Sequence, residues 1–312
     1  MIIRRQMLRY LINFVYPPRC AACGAWMGLD AIGPVCEVCV ALIERVSEPI
    51  CQVCGVPLQP APPPPFLDGE ASSAVASRAQ HARRTGAGEP RPGECPRSLE
   101  HSREESSPRA AHNKNESASR VEDERGGVAY KCRACTESPP HFGLARAVAR
   151  YRPGVSEDGQ IVPSIIRRHK YGRDQSLSRA LAQCLGDSLP LSSEGYDLVI
   201  PVPLHRRRLR WRGFNQAALL GVVVARKIGC RLDVVTLARI HDTAPQTAQD
   251  STQRRQNVRG AFAVTRRHRI ANRRVLLVDD VMTTGATVNE CARTLLAAGA
   301  RRVDVLTLAR AV

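Results

Sequence analysis

Thirteen consecutive residues, Val275 Leu276 Leu277 Val278 Asp279 Asp280 Val281 Met282 Thr283 Thr284 Gly285 Ala286 Thr287, constrain the fold of this chain more than any other stretch. The four leading apolar residues predict a central parallel strand, because an unbroken apolar run suits burial on both faces, whereas a half-exposed strand alternates. Ligands in open α/β sheets bind beyond the carboxyl ends of the strands, so Asp279 and Asp280 stand where their charge is usable. Thr287 to Glu290 fits a capping box. Val288, Cys291, Leu295 and Leu296 give the next segment an apolar stripe that ends before Gly299. Strand, acidic pair, small-residue turn and helix are thus expected in that order.

Such a turn suits one phosphate. The first turn of a helix offers backbone N–H groups with no partner inside the helix, and Thr283, Thr284 and Thr287 add hydroxyl donors. Gly285 removes the side chain that would hold a phosphate off the backbone. The carboxylates are wrong for gripping a second phosphate, but they can accept protons from ribose hydroxyls or hold a divalent cation. A phosphorylated sugar meets all of these demands. The competing reading is an ordinary α/β turn whose acids cap the next helix. Two other nucleotide motifs are excluded, since no GxGxxG lies near an early strand and no Gly-Lys-Ser/Thr closes the turn.

Eight of the twelve cysteines form four CxxC pairs, Cys20/Cys23, Cys36/Cys39, Cys51/Cys54 and Cys132/Cys135. One pair places two thiolates on a metal and two pairs complete a tetrahedral site, so four pairs suit two structural zinc ions. Disulfides and redox dithiols are the alternatives. The apolar stretch Leu11 to Val15 is too short for a secretory core and lacks a small-residue cleavage site, so the sequence reads as cytoplasmic and without a transmembrane segment. Cys184, Cys230 and Cys291 read as small buried residues, and Cys95 also stands apart from any pair.

The formal net charge is +17, and residues from Gln160 onward carry 26 Lys and Arg against 11 Asp and Glu. Such an excess attracts pyrophosphate-bearing molecules and nucleic acid alike. Aromatic residues are 4% of the chain, too few for an extended base-stacking platform.

Asp279 to Thr287 resembles the phosphoribosyl-pyrophosphate motif of type I phosphoribosyltransferases. Arg212 Gly213 Phe214 Asn215 Gln216 and Gln253 Arg254 Arg255 Gln256 Asn257 Val258 narrow the likeness to the ComF family, proteins associated with bacterial DNA uptake, over nearly all of the chain outside a middle insert. The resemblance implies an α/β fold of type I phosphoribosyltransferase kind, a mostly parallel sheet flanked by helices, with an N-terminal cysteine-rich zinc-binding module. It implies that Thr283, Thr284, Gly285, Ala286 and Thr287 hold a 5′-phosphate while Asp279 and Asp280 contact the ribose. Phosphoribosyl pyrophosphate with Mg²⁺ would be the substrate of a glycosyltransferase-class reaction. Partners would include DNA-uptake proteins and single-stranded DNA, in the cytoplasm or at the inner face of a membrane through those partners. A noncatalytic single-stranded DNA-handling protein and a zinc-stabilised phosphate-binding scaffold remain as alternatives.

On this basis residues 1–18 form an amphipathic helix packed on the zinc module, and residues 19–59 with 128–140 form a double zinc ribbon. Residues 60–127 form a low-complexity insert without sustained periodicity, expected to be disordered, and residues 141–312 the transferase domain. Pro57 to Pro65 holds six prolines and marks the start of the change. Residues 141–151 read as a connector, and Ile165 to Leu181 as a helix near Lys170. Asp197 to Pro203 reads as a strand, followed by a basic loop through Arg212 and Gly213 that is expected to hold pyrophosphate, and then by a helix to about Ile228. Val234 to Arg239 predicts another strand. The polar stretch Thr243 to Asn257 reads as a lid whose Arg254 and Arg255, with Gln246, would reach the departing pyrophosphate, or else as a static capping region. The last strand is expected near Val303 to Leu308, and the zinc module would supply the cover over the acceptor.

Overall fold

The computed structural model describes residues 12–20, 22–30, 35–58, 118–122, 128–152, 165–166, 195–242 and 256–312. In chain order these give α1 (Glu37–Ala41), β1 (Ala118–Glu122), β2 (Val128–Cys132), α2 (Arg133–Glu137), β3 (Ala145–Tyr151) and β4 (Leu198–Pro201). They continue with α3 (Arg206–Arg212), α4 (Gln216–Lys227), β5 (Arg231–Leu232), β6 (Leu237–Arg239), β7 (Phe262–Val264), β8 (Arg274–Met282), α5 (Ala286–Ala297) and β9 (Arg302–Ala311).

The run Val275–Val278 becomes the middle of a five-stranded sheet ordered β3-β9-β8-β4-β5, with every neighbouring pair parallel. Its side chains alternate between two cores. Val275 and Leu277 face a cluster with Val288, Cys291 and Leu295 of α5, while Leu276 and Val278 face one with Leu220, Val224 and Ala225 of α4. Both faces are covered, which is why the sequence carries no polar alternation there. Truncating fully buried Leu276 to alanine would remove about 2–5 kcal/mol of stability.

β8 does not stop at Val278. β9 pairs with it through Asp279, Val281 and Met282, so the two acids lie inside the final residues of the strand rather than beyond it. The expected capping box is also absent. Gly285 is the N-cap of α5, and Thr287 and Glu290 fall inside the helix, where Glu290 binds Arg293 and the Gly260 N–H instead.

Three further expectations change. The basic loop after β4 is a helix, α3, begun by His205, whose Nδ1 accepts from the Arg207 N–H, and ended by Gly213 in the left-handed region. The connector 141–151 contains β3, an edge strand paired with β9. The insert 60–127 is too long by its last few residues. Ala118–Glu122 pairs antiparallel with Val128–Cys132, a hairpin that delivers Cys132, so strand pairing from outside the segment supplies the order that its composition hides. The strand expected at Val234 to Arg239 is shorter, because Asp233 accepts from the Val235 and Thr236 N–H groups and turns the chain first. The remainder of 60–127, most of the helix at Ile165 to Leu181 with Lys170, and Gln246, Arg254 and Arg255 lie outside the described residues.

The cysteine-rich segment is fastened to the outer edge of β3. Val46 N–H donates to Val148 O at 3.0 Å, Arg150 N–H to Glu44 O at 2.7 Å, and Ala145 N–H to Val53 O at 2.6 Å. An open edge is thereby covered. At the start of the described chain, Asn13 Nδ2 donates to Leu29 O at 2.7 Å, but Ile12 and Val15 of the expected apolar stripe are exposed. Among the described residues no helix is long and apolar enough to cross a membrane.

Candidate ligand cleft at the carboxyl end of the sheet

The ends of β4, β8 and β9 and the first residues of α4 and α5 open onto one cleft. Asp279, Asp280 and all five residues from Thr283 to Thr287 line it. Asp279 Oδ1 accepts the Asp280 N–H and Asp280 Oδ1 accepts the Val281 N–H, each at 2.8 Å, which fixes both carboxylates against the strand. Gly285 has φ +78, a conformation that L side chains rarely adopt, and an added Cβ would meet Met282 Cε at 2.8 Å. The turn can therefore present backbone, with the Thr284 hydroxyl accepting the Ala286 N–H at 3.4 Å.

The opposite wall comes from β4 and α4. Asn215 caps α4, accepting the Ala217 N–H at 3.1 Å and donating to Val202 O at 3.0 Å. Arg212 lines the cleft from the last turn of α3. Gly213 is absent from the cleft wall and serves as the C-cap of α3. Gln216 is 2% exposed, and its Nε2 has no hydrogen-bond partner among the described residues. Val258, Arg259 and Gly260 also line the cleft, so the chain that follows Arg255 ends at its rim, held there by the bond from Gly260 N–H to Glu290 at 2.8 Å.

Several cleft residues escaped the sequence reading. Arg239 reaches the cleft from β6 with its guanidinium 5.5 Å from the centre of the Phe262 ring, and burial, reinforced by the charge of Arg208, lowers its pKa from the ordinary guanidinium value. Glu290 is held below the ordinary carboxylate range first by its paired bonds from Arg293, against the opposing effect of burial. Arg310, on β9, is 6% exposed and donates through Nη1 to Met282 O at 2.9 Å and to Thr283 O. An arginine directly after the largely apolar stretch Val305–Ala309, inside the same strand, was the available signal. Burial pushes the Cys291 thiol well up, which suits the expected role of a small buried residue.

The cysteines form two tetrads, Cys20, Cys23, Cys36, Cys39 and Cys51, Cys54, Cys132, Cys135, each with its sulfur atoms within 4.8 Å of one another. Cys23 and Cys36 Sγ lie 3.8 Å apart, and Cys54 and Cys132 Sγ 3.7 Å apart. A tetrahedron of sulfurs at the usual zinc distance has edges of about 3.8 Å, whereas a disulfide needs about 2.05 Å. Backbone N–H groups of Cys36 and Cys132 point at Cys20 and Cys51 Sγ, both at 3.3 Å, which favours thiolate. Both donor sets fit structural zinc. Cys54, Cys132 and Cys135 also line the cleft.

The pattern of a double zinc ribbon domain matches residues 11–71, and that of a phosphoribosyl transferase domain matches residues 215–311. The chain is 32% identical to DNA utilization protein YhgH of Salmonella typhi over 190 residues, 59% of this chain and 80% of that protein. It is 33% identical to the protein of that name in Escherichia coli strain K12 over 190 residues, 57% of this chain and 77% of that one. With Competence protein F of Haemophilus influenzae it shares 32% identity over 193 residues, 59% and 80% of the two chains. Among solved structures, glutamine phosphoribosylpyrophosphate amidotransferase from B. subtilis shares 21% identity, covering 44% of this chain and 26% of that one, at a TM-score of 0.29, too slight a likeness to add to the sheet described above. With two cysteine tetrads, a parallel sheet and relatives covered over most of their length, this chain belongs to the ComF family.

Proposed function

We propose that the cleft binds phosphoribosyl pyrophosphate and that the protein is a phosphoribosyltransferase serving DNA utilisation or competence, the roles that its relatives' names carry. The observation that carries this proposal is the meeting of two carboxylates, a threonine-glycine turn and a 12-residue helix N-terminus in one cleft. The N–H groups of the turn and the hydroxyls of Thr283, Thr284 and Thr287 would take the 5′-phosphate. Asp279 and Asp280 would accept bonds from the ribose hydroxyls and stabilise the positive charge that develops at the anomeric carbon as pyrophosphate departs. Arg212, with Arg254 or Arg255 and Gln246, would steady the leaving group. When bound, Mg²⁺ supplies charge neutralisation to the pyrophosphate, and the carboxylate and hydroxyl oxygens of the cleft are the donor class it takes.

Calorimetry with phosphoribosyl pyrophosphate and Mg²⁺ tests the assignment on the native protein and on Asp279→Asn combined with Asp280→Asn. Loss of charge-assisted hydrogen bonds should weaken binding by roughly ten- to a hundredfold, and equal binding by the two proteins would remove the carboxylates' role. The exposed Arg206, Arg207 and Arg210 of α3 favour a second reading as a noncatalytic single-stranded DNA handler. An oligonucleotide titration across salt, run beside an assay for pyrophosphate release, separates the two. Strand binding without release supports the handler, and release with a nucleobase supports the transferase.

A further inference from the structure

Two helix N-termini meet in the cleft, and different residues stand beside them. At α5 the turn supplies threonine hydroxyls and open backbone. At α4 the residues Asn215, Gln216 and Ala217 all line the cleft, with Asn215 as the N-cap. Gln216 is the first residue of that 12-residue helix, so its backbone N–H has no acceptor within the helix. Its side chain breaks the pattern of the helix it begins. Positions 216, 220 and 224 share one face, and Leu220 and Val224 belong to the core between α4 and the sheet. Gln216 heads this stripe at 2% exposure, and its Nε2 is buried with no hydrogen-bond partner among the described residues. A buried amide left unpaired destabilises a fold, whereas leucine of similar size would continue the stripe without that penalty. The amide thus stands against local stability, in a cleft wall and beside a helix end that favours anions.

We propose that Gln216 is a specificity-determining residue: a small rotation turns its amide to a pyrophosphate oxygen seated at the α4 N-terminus, so that the cleft prefers a sugar phosphate carrying pyrophosphate to the plain monophosphate. The inference rests on reading the α5 turn as the site of the 5′-phosphate. The two helix ends then divide the anions of one ligand, the single phosphate at α5 and the pyrophosphate at α4. A neutral donor suits the second place, because Arg208, Arg212 and Arg239 line the same cleft and supply charge, while the amide supplies direction. A ligand without pyrophosphate leaves the amide unpaired, and a site built around a buried donor rejects such a ligand more strongly than an apolar site does.

Calorimetry on the full chain with three probes tests this: phosphoribosyl pyrophosphate and inorganic pyrophosphate, each with Mg²⁺, and ribose 5-phosphate. Gln216→Leu should weaken the two pyrophosphate-bearing probes by roughly ten- to a hundredfold, the loss of one hydrogen bond to a charged acceptor, and should leave ribose 5-phosphate within about twofold. The same variant should raise the urea midpoint, with the unfolding equilibrium shifted by roughly tenfold toward the native state, because the unpaired amide is gone. Gln216→Met, unbranched and of the same length, guards against a packing effect and should behave alike. Unchanged binding of all three probes overturns the inference, as does equal weakening of ribose 5-phosphate, and a lowered urea midpoint in both variants would mean that the amide has a partner in the native fold. A native chain that binds pyrophosphate in a Gln216-dependent way but not ribose 5-phosphate leaves the α4 site standing and removes the proposed function instead. One that binds ribose 5-phosphate but not pyrophosphate removes the α4 site alone, and one that binds none of the probes removes both.

Discussion

The two cysteine tetrads look alike in sequence and stand in unlike places. The first closes over cysteines 13 positions apart, between Cys23 and Cys36, and two of its four residues are only partly buried. The second closes over cysteines 78 positions apart, between Cys54 and Cys132, and all four are buried within the core that continues through Phe142 into β8 and β9. The longer closure adds only about 1.6 kcal/mol of loop entropy, because that term grows with the logarithm of length. A distant pair is thus affordable wherever metal and core reward it together, and sequence separation says little about which tetrad matters more to the fold.

The strongest way to break this contrast is to remove the metals one at a time. Cys132→Ser with Cys135→Ser should lower the thermal midpoint of the sheet domain and expose the buried residues Val56, Leu58 and Phe142, since structural zinc supplies about 10–16 kcal/mol apparent and this site is continuous with the main core. Cys20→Ser with Cys23→Ser should leave hydrogen exchange in Val275–Val278 close to native and loosen only the first ribbon. Differential scanning calorimetry with zinc analysis reads both, and equal losses of midpoint would refute the distinction.

Each tetrad also has a glycine just after its first CxxC pair, which gives a finer comparison. Gly24 and Gly55 have φ of +75 and +66, so alanine is strained at both. At Gly24 an added Cβ meets nothing within 4 Å, whereas at Gly55 it meets the carbonyl oxygen of Ala145 at 2.5 Å. Gly24→Ala should therefore lose about 1–2 kcal/mol from backbone strain, and Gly55→Ala about 2–4 kcal/mol once the displaced strand β3 is included. Urea midpoints of the two variants decide the matter, and a larger loss at Gly24 would mean that the second knuckle is not pressed against the sheet.

The same contrast explains what could be read before the structure. The buried strand at Val275–Val278, the apolar helix running to about Ile228 and the eight paired cysteines rest on local patterns, namely apolar runs and CxxC spacing. Partner choice among the four pairs does not, since it depends on a hairpin whose first strand lies within a segment of low-complexity composition. Arg239 and Arg310 were missed as cleft residues for a related reason. Each sits in a strand that reads as core: sheet order sets Arg310 of β9 beside β8 and Asp279, while Arg239 reaches the same cleft from the separate β6-β7 pair. The basic stretch Arg206–Arg212 misled in the other direction. Its charge implied a loop, yet arginine is a good helix former and His205 and Gly213 are adequate caps, while Asp242, 3.6 Å from Arg208 and 3.8 Å from Arg207, offsets part of the repulsion.

The smallest expected effect tests the logarithm itself. Deleting about 50 residues between Pro64 and Asn113 would bring the closure between Cys54 and Cys132 from 78 positions to about 28 and strengthen it by about 0.9 kcal/mol, a roughly fivefold gain in zinc affinity at the second tetrad. The first tetrad, whose loop is untouched, should bind zinc as before, and it serves as the internal reference in a chelator competition on one sample. A gain of that size would identify the insert as chain that only separates two halves of a metal site. Weakened zinc binding at the second tetrad would instead mean that the deleted residues help hold Cys132 and Cys135 in place, and the two tetrads would then differ by an added scaffold rather than by loop length and burial.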